Sequence, residues 1–225
     1  MRKETFKMSN QQLRDLEEGI KILCKNARFG DGCFWIHPEC VNYKLIWSSI
    51  TLDLLQAKVN ICPEIFGTLP KEIDTSKHLG RYKNGKPIYR VASLVNPLIA
   101  EYQAKSTEAL LTELTIEDVA LWYLDDGGCF IRKDVVKLTY RYYLCVGNIC
   151  NTKGKIDFFL RCMSELFNVP ISKIGKVRLN NSKATEDNKT WFIPIPVGRC
   201  IANEASKFNV LHRKIPQVQS SETMA

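Results

Sequence analysis

The chain has 225 residues, a hydrophobic fraction of 45%, a net charge of +8 and a pI of about 9.0. That is enough for one large or two small domains with an ordinary core, and the basic balance suits a polyanionic partner, nucleic acid above all. No apolar stretch approaches a membrane span and Met1-Arg2-Lys3-Glu4-Thr5 offers no apolar signal core, so an intracellular protein without a membrane partner is expected.

Ser9-Asn10-Gln11-Gln12 has the spacing of a capping box, and Ile20, Leu23, Ala27 and Asp31 then recur at steps of three and four. These predict a helix running to about Phe29, with Gly30 and Gly32 supplying the positive φ that ends it. Strands are predicted from Cys33 to His37 and from Tyr43 to Ser49, and a helix from Thr51 to Val59. Asn84-Gly85 predicts a type I′ hairpin joining Gly80–Lys83 to Lys86–Ser93, with Pro87 marking an edge or bulged arm. Pro97 sits in the first turn of a helix from Asn96 to Ala104.

Residues 105–114 read as a polar, weakly patterned linker, after which the pattern repeats. Thr115-Ile116-Glu117-Asp118 has the spacing of a second capping box, and Val119, Trp122, Tyr123 and Asp126 share a helical face that stops at Gly127-Gly128. Strands follow at Phe130–Arg132 and Lys137–Val146, then a helix at Lys155–Phe167. A hairpin of Lys173–Leu179 with Thr190–Ile195 and a last helix at Arg199–Asn209 complete the chain. The expected fold is mixed α/β: two pseudo-symmetric αββαββα halves, 1–104 and 115–225, each with an antiparallel sheet. Gly32-Cys33-Phe34 and Gly128-Cys129-Phe130 echo each other after the two acidic turns.

The nine cysteines are irregularly spaced, their number is odd and no CxxC pair occurs. Cys33, His37 and Cys40 could ligate zinc with Cys145 and Cys150, but several of these cysteines sit in apolar strand-like runs, so reduced, mostly buried thiols and no zinc are expected. His37, His78 and His212 form no triad with a serine or cysteine that the pattern can place, which argues against a nucleophilic hydrolase.

Asp125-Asp126-Gly127-Gly128 ends an apolar helix on two carboxylates, and Phe29-Gly30-Asp31-Gly32 is a weaker copy. A helix C-terminus already carries partial negative charge, so acids there gain from an arriving cation, and a divalent cation takes oxygen ligands. If the two helices pack side by side and parallel, Asp31 and Asp126 meet at one metal centre. Gly30 and Asp125 are neighbouring candidates for the same site, with Asp125 better suited to capping. Antiparallel sheets leaving the helix ends are wide enough for the major groove. Arg81, Lys83, Lys86, Arg90, Lys137, Arg141, Lys176 and Arg178 are the basic strand residues expected to contact DNA as a group. The chemistry this implies is metal-assisted phosphodiester hydrolysis.

At Leu121-Trp122-Tyr123-Leu124-Asp125-Asp126-Gly127-Gly128 the chain resembles the LAGLIDADG homing endonucleases in their single-chain, two-motif form, in the DDGG variant of the motif. The resemblance follows element order over nearly the whole chain and is specific at the second motif. It implies saddle-shaped sheets and a monomer acting on a long double-stranded DNA site. Cleavage would be Mg²⁺-dependent, with Ca²⁺ or Mn²⁺ as substitutes, would cross the minor groove to leave short 3′ overhangs, and would serve intron mobility. It also implies metal binding by Asp31 and Asp126 and active-site lysines at Lys105 and Lys214, with Ser48, Ser49 or Asn148 positioning water. The host could be an organelle (mitochondrion or chloroplast), a prokaryote or a phage. The first motif departs from the family pattern: Asn26 and Arg28 stand where small or apolar residues usually pack. Either the helix turns them outward or the motif is degenerate. The second option leaves open an intron-RNA maturase, or a DNA-binding protein that no longer cleaves, on the same scaffold.

Overall fold

The computed structural model describes residues 8–36, 38, 42–73, 87–133, 138–147, 149–179 and 189–210, and they form two units, Met1–Leu110 and Leu111–Ala225. Each unit is built around a capped helix. In α1 (Asn10–Phe29) the Ser9 hydroxyl accepts from the Gln12 amide at 3.2 Å, and the Ser9 amide donates to Gln12 Oε1 at 2.8 Å. In α5 (Ile116–Asp126) Thr115 and Asp118 exchange the same pair of bonds at 3.2 and 2.7 Å. Such boxes satisfy amides that the first turn leaves open. Beyond its cap α5 is enclosed on all sides, whereas α1 is exposed over its first half and enclosed over its second. Ile22 through Ala27 are all buried, as are Asp118 through Asp125, and consecutive positions point around the whole helix.

In the first unit α1 is followed by β1 (Gly32–Trp35), β2 (Lys44–Ser49), α2 (Leu52–Ile61), β3 (Lys71–Ile73), β4 (Ile88–Ala92) and α3 (Pro97–Ala104). The strands are antiparallel in the order β1-β2-β4-β3. Leu45 and Trp47 of β2 and Val91 of β4 point to one face, which α1 and α2 cover, while α3 packs on α1. β4 is therefore an interior strand, and Pro87 lies just before it rather than marking an edge. The Asn84-Gly85 turn lies outside the described residues. β4 takes its second neighbour from β3, whose three residues are too short to show a period.

Six residues of the expected linker form the helix α4 (Thr107–Thr112), which buries Leu110 and Leu111. The second unit continues from α5 with β5 (Gly127–Lys133), β6 (Leu138–Cys145), α6 (Lys153–Leu166), β7 (Lys176–Leu179), β8 (Lys189–Ile193) and α7 (Ile195–Ser206). Its order, β5-β6-β8-β7, repeats that of the first unit. The last helix starts four residues earlier than expected because Pro196 sits in its first turn, where a missing amide costs nothing. Trp191 centres this core. Its ring meets Phe159 edge-on at 5.4 Å, and its Nε1 donates to the Ile174 carbonyl at 2.9 Å.

Burial raises the Cys24 and Cys150 thiols to about 12 and Cys62 to about 11, so these stay neutral. Cys33, Cys145 and Cys200 are exposed instead, because the first two fall on the uncovered sides of their strands.

The glycines at the helix ends do not supply positive φ. Gly30 has φ −100° and Gly127 φ −89°, and among the described glycines Gly175 has the positive value, at 102°. Their neighbours need the room: a β-carbon on Gly32 would strike Trp47 Nε1 and come within 2.6 Å of Ala27 Cα. Gly32→Ala is expected to lower stability by about 1–3 kcal/mol in urea denaturation. Gly154→Ala, with nothing within 4 Å of the added carbon, should be neutral or stabilising.

Candidate metal and nucleic-acid site

In both units an acid stands where the helix turns into the first strand. The Gly30 amide donates to the Asn26 carbonyl at 2.8 Å, exposed Asp31 follows, and Gly32 opens β1. Half-buried Asp126 is the last residue of α5, and the Gly127 amide donates back to the Tyr123 carbonyl as it opens β5. Asp125 is 7% exposed. The last turn of α5 carries no basic residue, whereas that of α1 carries Arg28. Carboxylates at the negative end of a helix dipole suit a divalent cation with hard oxygen ligands. Among the described residues no three His, Cys, Asp or Glu side chains gather.

Strand register relates the two turns. Gly32 lies opposite Trp47, and Gly127 opposite Leu144, both on core faces, so Asp31 corresponds to Asp126. The Gly-Cys-Phe echo is one residue out of this register. Phe34 points to the core side and Phe130 to the open side, as a shift of one in a strand requires.

The polar residues of the first motif are used inside their own unit. Asn26 is 1% exposed, and its Oδ1 accepts from Trp47 Nε1 at 3.0 Å and from Lys58 Nζ at 2.9 Å. Lys58 is also 1% exposed and lies 5.5 Å from the centre of the Trp47 ring. Arg28 Nη2 donates to the Gln103 carbonyl at 2.6 Å. Asn26 is thus turned inward rather than outward. In that register the counterpart of Asn26 in the second unit is fully buried Leu121; Tyr123, two residues further on, is fully buried too, and burial pushes its phenol far above the ordinary range.

The remaining candidates divide. Lys105 is half-buried at the C-cap of α3, with Nζ 4.2 Å from the Tyr102 ring centre. Ser48 Oγ accepts from Arg90 Nε at 3.1 Å, and Ser49 Oγ accepts from the Thr51 amide at 3.0 Å at the start of α2. Lys214, Asn148, Arg81, Lys83, Lys86 and Lys137 lie outside the described residues, as do His37, Cys40, His78 and His212.

Each sheet has a side turned away from the helices. On the first it carries Cys33, Trp35, Lys44, Ile46, Ser48 and Arg90, with Lys44 Nζ 4.3 Å from the Trp35 ring centre. On the second, exposed Arg141, Lys176 and Arg178 flank Phe192, and together with Tyr140 they line a groove. Phe130 and Tyr143 add a ring pair at 6.1 Å. Trp47 and Tyr142 are core residues instead, at 1% and 3% exposure. Trp35, Lys44, Phe130 and Phe192 were not among the expected contacts. The alternation Lys44, Ile46, Ser48 against Leu45, Trp47 is the signal that marks Lys44.

The architecture is that of a two-unit α/β protein whose capped central helices each run straight into an antiparallel sheet. It is the fold of the LAGLIDADG homing endonucleases in single-chain form. The homing endonuclease I-WcaI, solved bound to its DNA recognition sequence, superposes with a TM-score of 0.62 at 15% identity, covering 91% of each chain. The meganuclease I-SmaMI, solved with uncleaveable DNA, gives 0.48 at 8% identity over 88% of this chain and 85% of its own. Mesophilic variants of the homing endonuclease I-DmoI give 0.47 at 10% identity over 85% and 97%. The latter two scores are too low to bear on fold or function. No family profile and no curated protein matches the sequence.

Asn26→Leu would leave the Lys58 ammonium and the Trp47 N–H without their shared acceptor. A loss of about 2–4 kcal/mol is expected in chemical denaturation. Adding Lys58→Met should recover much of it, because the buried charge is then gone.

Proposed function

We propose that this protein is a site-specific DNA endonuclease that makes metal-dependent double-strand breaks. The carrying observation is the twice-built junction at which a helix delivers an aspartate to the first strand of a sheet with a basic and aromatic open side. In this reading the open sides lie along the duplex. Arg90, Arg141, Lys176 and Arg178 engage phosphates and base edges, while Trp35, Phe130 and Phe192 supply apolar surface to bases.

Asp31 and Asp126 would hold Mg²⁺, which supplies charge stabilisation at the scissile phosphate and lowers the pKa of water. The chain's own residues do the rest. Asp125, buried next to Asp126 in sequence, is assigned a supporting rather than a ligand role in this reading. Lys105, at the C-cap of α3, and Lys214 are the cations this reading assigns to the two acidic turns. The Ser48 hydroxyl, held by Arg90, is the better placed water-positioning group in this reading, since the Ser49 hydroxyl already accepts from the Thr51 amide. Intron mobility, a monomeric state and an intracellular host compartment are parts of the same proposal. The polarity of the first motif, which favoured an RNA-binding role, is accounted for by the Asn26 and Arg28 contacts within the unit.

The test uses purified protein, Mg²⁺ and a plasmid library with randomised inserts. A subset of plasmids should be linearised at one sequence, and EDTA should stop the reaction reversibly. On that sequence Asp126→Asn should slow cleavage by at least about a hundredfold. Binding, measured in Ca²⁺, should stay near wild type and weaken steeply with salt. Cleavage by Asp126→Asn at the wild-type rate would falsify the mechanism.

A further inference from the structure

Arg28 stands in the last turn of α1, three residues before Asp31, and makes two contacts that leave its own helix. Its Nη2 donates to the Gln103 carbonyl at 2.6 Å, and its guanidinium carbon lies 5.3 Å from the centre of the Phe34 ring on β1. Gln103 belongs to the last turn of α3, where carbonyls lack helical donors. A cation is favourable at that end on electrostatic grounds as well, and a charged donor at this distance makes a strong bond. The Arg28 Nε is buried with no hydrogen-bond partner among the described residues. Two residues beyond Gln103 comes Lys105, the C-cap of α3, lying over the ring of buried Tyr102.

From this we infer that Arg28 is a positioning residue: it clamps the end of α3, and with it Lys105, to the end of α1 that carries Asp31. The inference rests on the nuclease reading for its consequence, but not for the clamp. Asp31 and Lys105 leave different elements 74 positions apart in sequence, and a short charged bond between those elements sets how the ammonium approaches the acidic turn. A displacement of about 1 Å at a reacting centre is enough to cost about a hundredfold in rate. Arg28 acts through the Gln103 carbonyl and the Phe34 ring.

The experiment compares wild type, Arg28→Met, Arg28→Lys, Lys105→Met and the Arg28→Met/Lys105→Met double variant. Single-turnover cleavage at saturating protein should fall about ten- to a hundredfold in Arg28→Met. Duplex affinity in Ca²⁺ should stay within about twofold, and Arg28→Lys, which keeps a charged donor, should recover most of the rate. The double variant should be no slower than Lys105→Met, because both changes remove the same alignment. Amide exchange at residues 102–105 should speed up in Arg28→Met, a readout that needs no cleavage. Unchanged exchange overturns the clamp. A normal rate for Arg28→Met or Lys105→Met, or losses that multiply in the double variant, overturns its role in catalysis while the nuclease reading stands. A wild-type protein that cuts nothing in the library sinks the nuclease reading, and the exchange result then decides the clamp by itself.

Discussion

The constraint on which the structure depends is the absence of a loop between helix and sheet. Two residues separate α1 from β1, and none separates α5 from β5. Strand and helix must then pass close enough that no side chain fits between them. Gly32 meets Trp47 and Ala27, and Gly127 meets the Tyr123 ring and its carbonyl oxygen. In both units the backbone after the acid is hydrogen-bonded into a sheet, and in the second unit the acid is itself the last residue of the helix. Carboxylates held this way are organised in advance for a cation, at the negative end of the helix where a cation is already favoured.

The two units meet the same constraint with different chemistry. In the second, α5 reaches its acids through apolar and aromatic residues, and the core is closed by Trp122, Phe159 and Trp191 in edge-on contacts. In the first, a buried tryptophan instead gives its N–H to Asn26, and a buried ammonium shares that acceptor. A buried charge is costly unless it is bonded, so Asn26, Trp47 and Lys58 can only be understood together. This explains why the first motif departs from the apolar pattern of the second. Its polarity is interior chemistry of that unit, not a sign that the helix has been turned around.

The sequence made the helices and their ends legible. The two capping boxes, the enclosed apolar runs and the acid-glycine punctuation are local features with local causes. The motif at Leu121–Gly128 pointed to the fold that the superposition on I-WcaI supports. Glycine roles were harder to read. A glycine after a helix commonly signals positive φ, whereas here extended backbone and a close neighbour require it. The Gly-Cys-Phe echo also misled, since identity of residues carries no information about which side of a strand they face.

Periodicity along a chain reports on one element at a time. It determined where the two capped helices begin, that acids stand at their ends, and that basic and aromatic residues alternate in the strands, but not the start of α7 or the existence of α4. Pairings across 75 residues, such as Arg28 with Gln103, or across 32, such as Asn26 with Lys58, leave no periodic trace. Neither does the choice of which strand neighbours which, so the interior place of β4 and the open sides of the sheets emerged from tertiary packing alone. The physical reason is that these contacts are fixed by the three-dimensional burial of one element against another, a quantity that no window of sequence contains.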